Sequence, residues 1–341
     1  MTGRVVLAYS GAPRGAASIR ALAAGHAGGV VALVLDLGQG VDLEEAHARA
    51  LDAGAARAHV VDVRDTLARE FILPALHAGV RADTGDAMAI ALARPLIART
   101  LVDIAHMEAA AAVAHGGTDA GRAQLDTALR ALDPALRILP PAADAPGTGV
   151  PTVRATLWGR LIEYAPAGTE GPAESLYWWT RRKAAAPASA AHVEIGFDAG
   201  VPTTINAVSL PLIELIESLS IIAGQHGIGR IVDVNGRPGA PHRAHEVPAA
   251  VVLQAAHGAL EAAATGEARA RATRDRNAPY AGLVLSGHWF SPARASLDAF
   301  NHEVQKQVTG SVQIEFVKGE LAILACRPAV PSEAPAALPA S

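Results

Sequence analysis

The chain has 341 residues, 50% of them hydrophobic but only 4% aromatic, so alanine, valine, leucine and isoleucine dominate; they suffice for sizeable cores in two domains of roughly 100–200 residues each and exclude an intrinsically disordered protein. Lys+Arg 29 against Asp+Glu 33 gives a formal net charge of −4, which offers no basic excess for DNA or RNA. The single cysteine, Cys326, excludes an intramolecular disulfide and a cysteine-rich zinc site and points to a reducing cytoplasm.

The most apolar runs, Val30–Leu37 and Ala87–Ile97, are too short, and the second carries Arg94; neither reaches the ~18–20 apolar residues that span a bilayer. The N-terminus, MTGRVVLAYSG, enters a strand-like run without the apolar region and cleavage site of a signal peptide. A soluble cytoplasmic protein without membrane or nucleic-acid partners is expected.

In chain order, Arg4–Tyr9 is a short apolar strand ended by Ser10-Gly11, and Ile19–Ala24 is the apolar part of a helix. Val30–Leu35 is a continuous apolar run, the pattern of a strand buried on both faces. Asp42–Ala53 forms a helix with Asp42 as N-cap, Glu45 three residues on, and Gly54 as the stop. Ala58–Val63 is a third strand, Leu92–Ala105 a helix, Ala111–Ala114 a strand ending in His115-Gly116, Gln124–Leu132 a helix, and Arg137–Leu139 a last strand. This alternation predicts a doubly wound parallel sheet with the turns after Tyr9, Leu35 and Ala114 on one rim.

Pro140–Ala155 is rich in proline, alanine and glycine and reads as a linker. Beyond it, His192–Phe197 and Thr203–Val208 form one hairpin, and Val312–Val317 and Glu320–Ala325 another. Helices are expected at Pro211–Ala223 and Pro248–Ala264. The domains are therefore set at 1–140 (nucleotide-binding-type α/β), 141–156 (linker), 157–326 (α+β) and 327–341 (disordered tail). His242–Glu246 (HRAHE) is read as a solvated loop, because its spacing matches no common metal site. His115, just past a strand, is a candidate rim contact. Residues 8–18, between the first strand and first helix, occupy the position of a phosphate loop.

Here the sequence resembles a known family. RVVLAYSG, DLGQGVDLEEA, ALARPLIAR, VAHGGT, LWGRLIE, AGQHGIGRI, VPAAVVL and WFSPAR occur in the order seen in argininosuccinate synthases, over about residues 4–326. The resemblance implies a pyrophosphate-loop domain of the adenine nucleotide alpha hydrolase-like kind, followed by an α+β synthetase domain that also serves oligomerisation. It further implies ATP and Mg²⁺ as cofactors: ATP adenylates the ureido oxygen of citrulline with release of pyrophosphate, and aspartate then displaces AMP. Carried over by position, Ala8, Tyr9, Ser10, Gly11, Arg14, His115 and Gly116 belong to the nucleotide, and Asp86, Thr118 and Glu246 to the substrates.

The same comparison exposes departures. The family's SGGLDTS loop reads Ser10-Gly11-Ala12-Pro13-Arg14-Gly15-Ala16 here, with a glycine, an aspartate and two hydroxyls gone and Pro13 lacking an N–H. The family's Tyr-x-x-x-Thr-Ser aligns with Asp86, Ile90 and Ala91. The serine after WGR in many members is Leu161, the glutamate of VENR is Asn235 and the tyrosine of YETP is His245. Asp119-Ala120-Gly121-Arg122 replaces a lysine, an asparagine and an aspartate.

Three functional readings result: a non-catalytic or repurposed homologue, an ATP-dependent carbon–nitrogen ligase with a changed substrate, or a drifting paralogue without a selected role. The family's C-terminal arm has no counterpart after Cys326, so a homodimer is expected rather than the family's tetramer, or a mixed complex with an active paralogue. In the ligase reading Arg14 takes over the anion contact. Arg14→Ala then weakens nucleotide binding by about 1.5–3 kcal/mol, the scale of a charged hydrogen bond; equal, measurable binding of both proteins in a calorimeter would place the nucleotide elsewhere.

Overall fold

The computed structural model describes residues 3–11, 13–81, 88–116, 119–140, 151–165, 171–233 and 242–329, with the side chains of 13, 14, 119, 120 and 267–269 left aside. The first half contains β1 (Val5–Ala8), α1 (Pro13–Gly25), β2 (Val30–Asp36), α2 (Leu43–Asp52), β3 (Arg57–Asp62), α3 (Arg64–Leu67), a π-helical turn Ala68–Ile72 and α4 (Leu73–His77). It continues with α5 (Met88–Ala91), α6 (Ala93–Met107), β4 (Ala112–His115), α7 (Asp119–Leu132) and β5 (Arg137–Leu139). The five strands form the expected parallel sheet, in the order β3-β2-β1-β4-β5. The apolar run read as a doubly buried strand is β2, with Val30–Leu35 all buried between helices on either face. Asp42 caps α2 by accepting the Glu45 backbone N–H at 2.9 Å, as its sequence position requires.

The second half begins earlier than expected. Thr152–Thr156, assigned to the linker, is β6, which pairs antiparallel with β7 (Gly159–Tyr164). There follow β8 (Ala191–Asp198), β9 (Val201–Ile205), β10 (Val208–Ser209), α8 (Leu212–Gln225), β11 (Arg230–Asp233) and β12 (His242–Glu246). The remaining elements are α9 (Pro248–Thr265), α10 (Glu267–Leu285), α11 (Pro292–Gln305), β13 (Gly310–Val317) and β14 (Glu320–Pro328). Two antiparallel sheets result, β10-β9-β8-β13-β14 and β11-β12-β7-β6. Both expected hairpins are present; each turns on two residues of positive φ, Ala199-Gly200 and Lys318-Gly319, as tight two-residue turns demand.

Three expectations need correction. The HRAHE segment is not a loop but β12, held between β7 and β11. Arg327 and Pro328 belong to β14 rather than to a tail, because their backbone pairs with Ser311 and Gly310; residues 330–341 lie outside the described part. α10 and α11 were not anticipated: α10 carries charges around its circumference and Pro279 within it, so it lacks the apolar stripe that signals a helix.

The halves share one apolar core that runs from Val6 and Leu33 through Phe71 and Leu96 to Leu253 and Phe316. Trp289, before α11, stacks on Phe71 of the π turn with ring centroids 4.9 Å apart and meets the buried Tyr280 of α10 edge-on. Fully buried Gln124 of α7 donates to the carbonyls of Ala91 (3.0 Å) and Val284 (2.7 Å), tying three helices together. The loop after β2 is docked similarly: Leu157 N–H donates to Leu37 O at 2.5 Å. Gly38 has φ +80° there, and a Cβ would lie 3.0 Å from the Leu157 backbone, so only glycine suits this approach.

At the opposite end of the parallel sheet, buried Glu108 follows α6 and gathers Arg4 (2.6 Å) from just before β1, and His59 (2.8 Å) and Arg57 (3.2 Å) from β3. The hydrogen bond from His59, with those from Arg57, holds the Glu108 carboxyl below the ordinary glutamate range. A depressed carboxyl pKa contributes stability above the unfolded value, about 4.3, and loses it as pH falls through the folded value. Glu108→Gln is expected to cost about 1 kcal/mol at pH 7, since Arg57 and Arg4 are substantially exposed and screened. Urea unfolding at pH 7 and pH 3 should show the difference between the two proteins shrinking at the acid end.

Candidate functional site

The order of the parallel sheet creates one crevice. The chain leaves β1 toward β2 and β3, then returns to β4 on the other side of β1, so the loops following β1 and β4 diverge at their carboxyl ends. Ala8 pairs in register with both Leu33 and His115, which puts the turns after β1, β2 and β4 on one rim as the sequence indicates. Ser10 is exposed on this rim. Gly11, with φ +81°, is buried against Ala46. Gly116 is exposed and has open space where a side chain would be.

Tyr9 and His115 stand on the rim but turn inward. Tyr9 is 3% exposed; its ring lies 2.5 Å from where a Gly15 Cβ would be, so Gly15 is set by ring packing. Burial pushes the Tyr9 phenol up, and its hydroxyl has no partner among the described residues. The His115 ring bonds through Nε2 to Asp126 of α7 at 2.8 Å, while Nδ1 sits 3.4 Å from the Gly116 carbonyl. Ala8 is the last residue of β1 and presents only backbone. Arg14 lies in the first turn of α1, with its side chain outside the described residues, as are Asp86 and Thr118 altogether.

The four-stranded sheet supplies a second wall. In its register Arg154, Leu161, His245 and Ile231 form one cross-strand row, and Thr152, Glu163, Arg243 and Asp233 the next. Directly paired residues and those two apart share a face, so both rows look the same way. That face meets α5, where Ile90 packs on Leu161 and Thr156 donates to Ala89 O at 3.2 Å. Arg154 Nη2 lies 2.5 Å from Glu163 Oε2, and Arg243 Nε 3.5 Å from Glu163 Oε1. Arg94, one turn beyond α5, bonds to Gln124; burial, with Arg154 and Arg243 nearby, brings its pKa down to about 10. His245 is 1% exposed, neither ring nitrogen has a partner among the described residues, and burial and then Arg243 lower its pKa, so the imidazole is neutral near pH 7.

Sequence reasoning did not assemble this group. Arg154 fell in the linker and Arg243 and His245 in the supposed loop, and their common face appears only from strand register.

Glu246, expected at the substrates, points to the other face. Its carboxylate is completely buried and pairs with buried Arg160. It also accepts the backbone N–H groups of Trp178 (3.2 Å), Trp179 (2.8 Å) and Thr180 (2.8 Å), and the Thr180 hydroxyl at 2.8 Å. With its lone pairs consumed by the chain, it anchors the segment around Tyr177–Thr180 to the sheet. Glu246→Ala would strand the Arg160 charge and several N–H groups, at about 3–5 kcal/mol. Chemical unfolding should show that loss; a variant of unchanged stability would return Glu246 to the substrates.

Comparison with known proteins agrees with this architecture. Residues 4–155 match the family model of the arginosuccinate synthase N-terminal HUP domain, and residues 154–331 that of the arginosuccinate synthase C-terminal domain. The argininosuccinate synthase of Dehalococcoides mccartyi is 36% identical over 350 residues, covering 95% of this chain and 86% of that protein. That of Bacillus thuringiensis is 36% identical over 342 residues (93% and 85%), and that of Dictyoglomus turgidum 35% over 347 (94% and 87%). With both domains matched in order and the rim at the switch point of the parallel sheet, the chain belongs to the argininosuccinate synthase family.

Proposed function

We propose that this chain is a family member that no longer joins citrulline to aspartate and works as a binding or repurposed homologue. The observation that carries the reading is the contact between Ile90 and Leu161 on the cleft face of the sheet. At these positions the family pattern has hydroxyl side chains; here two apolar groups cover each other, and neither offers a hydrogen bond to a ureido group. A site that loses such partners loses orders of magnitude of discrimination. Assembly as a homodimer, or with an active paralogue, in the cytoplasm belongs to the same proposal.

A second reading, an ATP-dependent carbon–nitrogen ligase with a changed substrate, is favoured by the rim. Ser10 and Gly116 are both exposed on the rim at the β1–β4 switch point, where a nucleotide of this fold would lie. α1 opens on Pro13, which has no N–H to offer, so the donors there are fewer than a glycine loop provides. ATP with Mg²⁺ would supply the leaving group for bond formation, while this chain's residues orient the nucleotide and exclude water.

The test is pyrophosphate release from ATP with citrulline and aspartate. None is expected; formation at about 1 per second or faster, the range of ordinary enzymes, would contradict the proposal. Restoring the loop sequence alone should leave the result unchanged, because Ile90 and Leu161 would remain.

A further inference from the structure

Two imidazole rings stack where α4 of the first half meets the second half. His77 of α4 and His257 of α9 have ring centroids 5.6 Å apart, with their planes 25° from parallel. Each neutral ring is fixed by an acceptor: His77 Nε2 donates at 3.1 Å to the carbonyl of Gly200, in the turn between β8 and β9, and His257 Nε2 donates at 2.7 Å to Gln305 Oε1 of α11. Gln305 donates in turn to Glu261 Oε2 at 3.3 Å. The turn is pressed against this group. Gly200 has φ +79°, and a Cβ there would lie 3.0 Å from His77 Nε2 and closer still to Gln305 Oε1. The pair thus joins α4, α9, α11 and the β8–β9 turn. His257 is 2% exposed, whereas His77 is only partly buried and is the ring that water reaches.

We propose that this stack is an acid-sensitive latch between the halves, in which a proton taken up by His77 sets a cation against the neighbouring imidazole and releases α4 from α9 and the β8–β9 turn. Among the described residues, the titratable groups that bear on His77 are His257 and His302 of α11, and a positive charge on either opposes one on His77. The carboxylate at the pair is Glu261, 4.0 Å from His257 Nδ1. Charges on the adjoining elements are engaged elsewhere. Before α4, Arg69 pairs with Asp65 and Glu70 with Arg99; on α11, Glu303 pairs with Lys306, and Asp198 before the turn meets Thr309. Burial, then His257, push His77 below the ordinary imidazole range, and burial lowers His257 against the pull of Glu261. Above about pH 6.5 both rings are neutral whether the joint is closed or open; below it the open form binds protons that the closed form does not, so opening gains up to about tenfold per pH unit for each histidine. This window lies above the one in which Glu108 loses its contribution.

Hydrogen exchange of the full chain, followed by mass spectrometry at pH 7.5 and pH 5.5 and corrected for intrinsic rates, tests the latch. Protection of Leu73–His77 and of residues 198–202 should fall about tenfold or more between the two conditions, while Val30–Leu35 of β2 keeps its protection. His77→Gln, whose amide still donates to Gly200 but does not titrate, should match the unaltered chain at pH 7.5 and lose about tenfold of the acid response. His257→Gln is the second variant, with the same expectation. No acid response at α4 in the unaltered chain, an equal response at β2, or a response unchanged in both variants would overturn the proposal. The comparison of α4 with β2 in the unaltered chain decides it even where a variant does not fold.

Discussion

The carboxylate of Glu246 is sealed from water, and everything around the second wall of the cleft follows from how it is satisfied. Arg160 on the neighbouring strand and the three consecutive N–H groups of Trp178, Trp179 and Thr180 converge on it. Removing any one of them would leave a charge or a donor without a partner in a low-dielectric site. The ion pair thus commits one face of the sheet to the segment that carries Tyr177, where Arg230 lies over the ring at 3.7 Å and bonds to Glu174. Strand alternation leaves the other face, with His245, Glu163 and the arginines, as the one that meets the first domain. Neighbouring residues 245 and 246 therefore have opposite employments, and a one-residue slip of β12 would exchange them.

Placement of that second face depends on ties between the halves. Gln124 couples α7 to α5 and α10, and the Phe71–Trp289 stack couples the π turn to the approach of α11. Leu157 joins the turn before β7 to the loop after β2, so the sheet wall is fixed to the same rim that carries Ser10 and Gly116. The rim at the β1–β4 switch point, with exposed Ser10 and Gly116, and the sheet wall with Arg154 and Arg243 are thus held in one frame. Scaffold motifs such as Arg94-Pro95 and Trp158-Gly159-Arg160 act at these joints: Trp158 is in the shared core, and Arg160 is the partner of Glu246.

Much of the scaffold was legible in the sequence because its signals are local. A doubly buried strand reads as an unbroken apolar run, α2 declares both its ends through Asp42 and Gly54, and the hairpins turn where Gly200 and Gly319 permit positive φ. The site was less legible because it is made of residues that break local rules. His242–Glu246 has the composition of a solvated loop, yet it is a strand whose charges are met by residues far away in sequence. His115 and Glu246 were identified as important from their positions, but their partners, Asp126 and Arg160, turn both toward support of the fold. Arg154 was hidden by the prolines and glycines just before it, and only its pairing opposite Leu161 places it in the cleft.

The central claim is a division of labour between the two faces of one sheet, in which Glu246 serves the fold and the opposite face carries the Ile90–Leu161 contact. A crystal structure of the protein grown with saturating citrulline and aspartate tests it most directly. The account predicts an undisturbed Glu246–Arg160 pair and no citrulline density against Ile90 and Leu161. Citrulline ordered there, or a Glu246 side chain turned to the ligand, would contradict it.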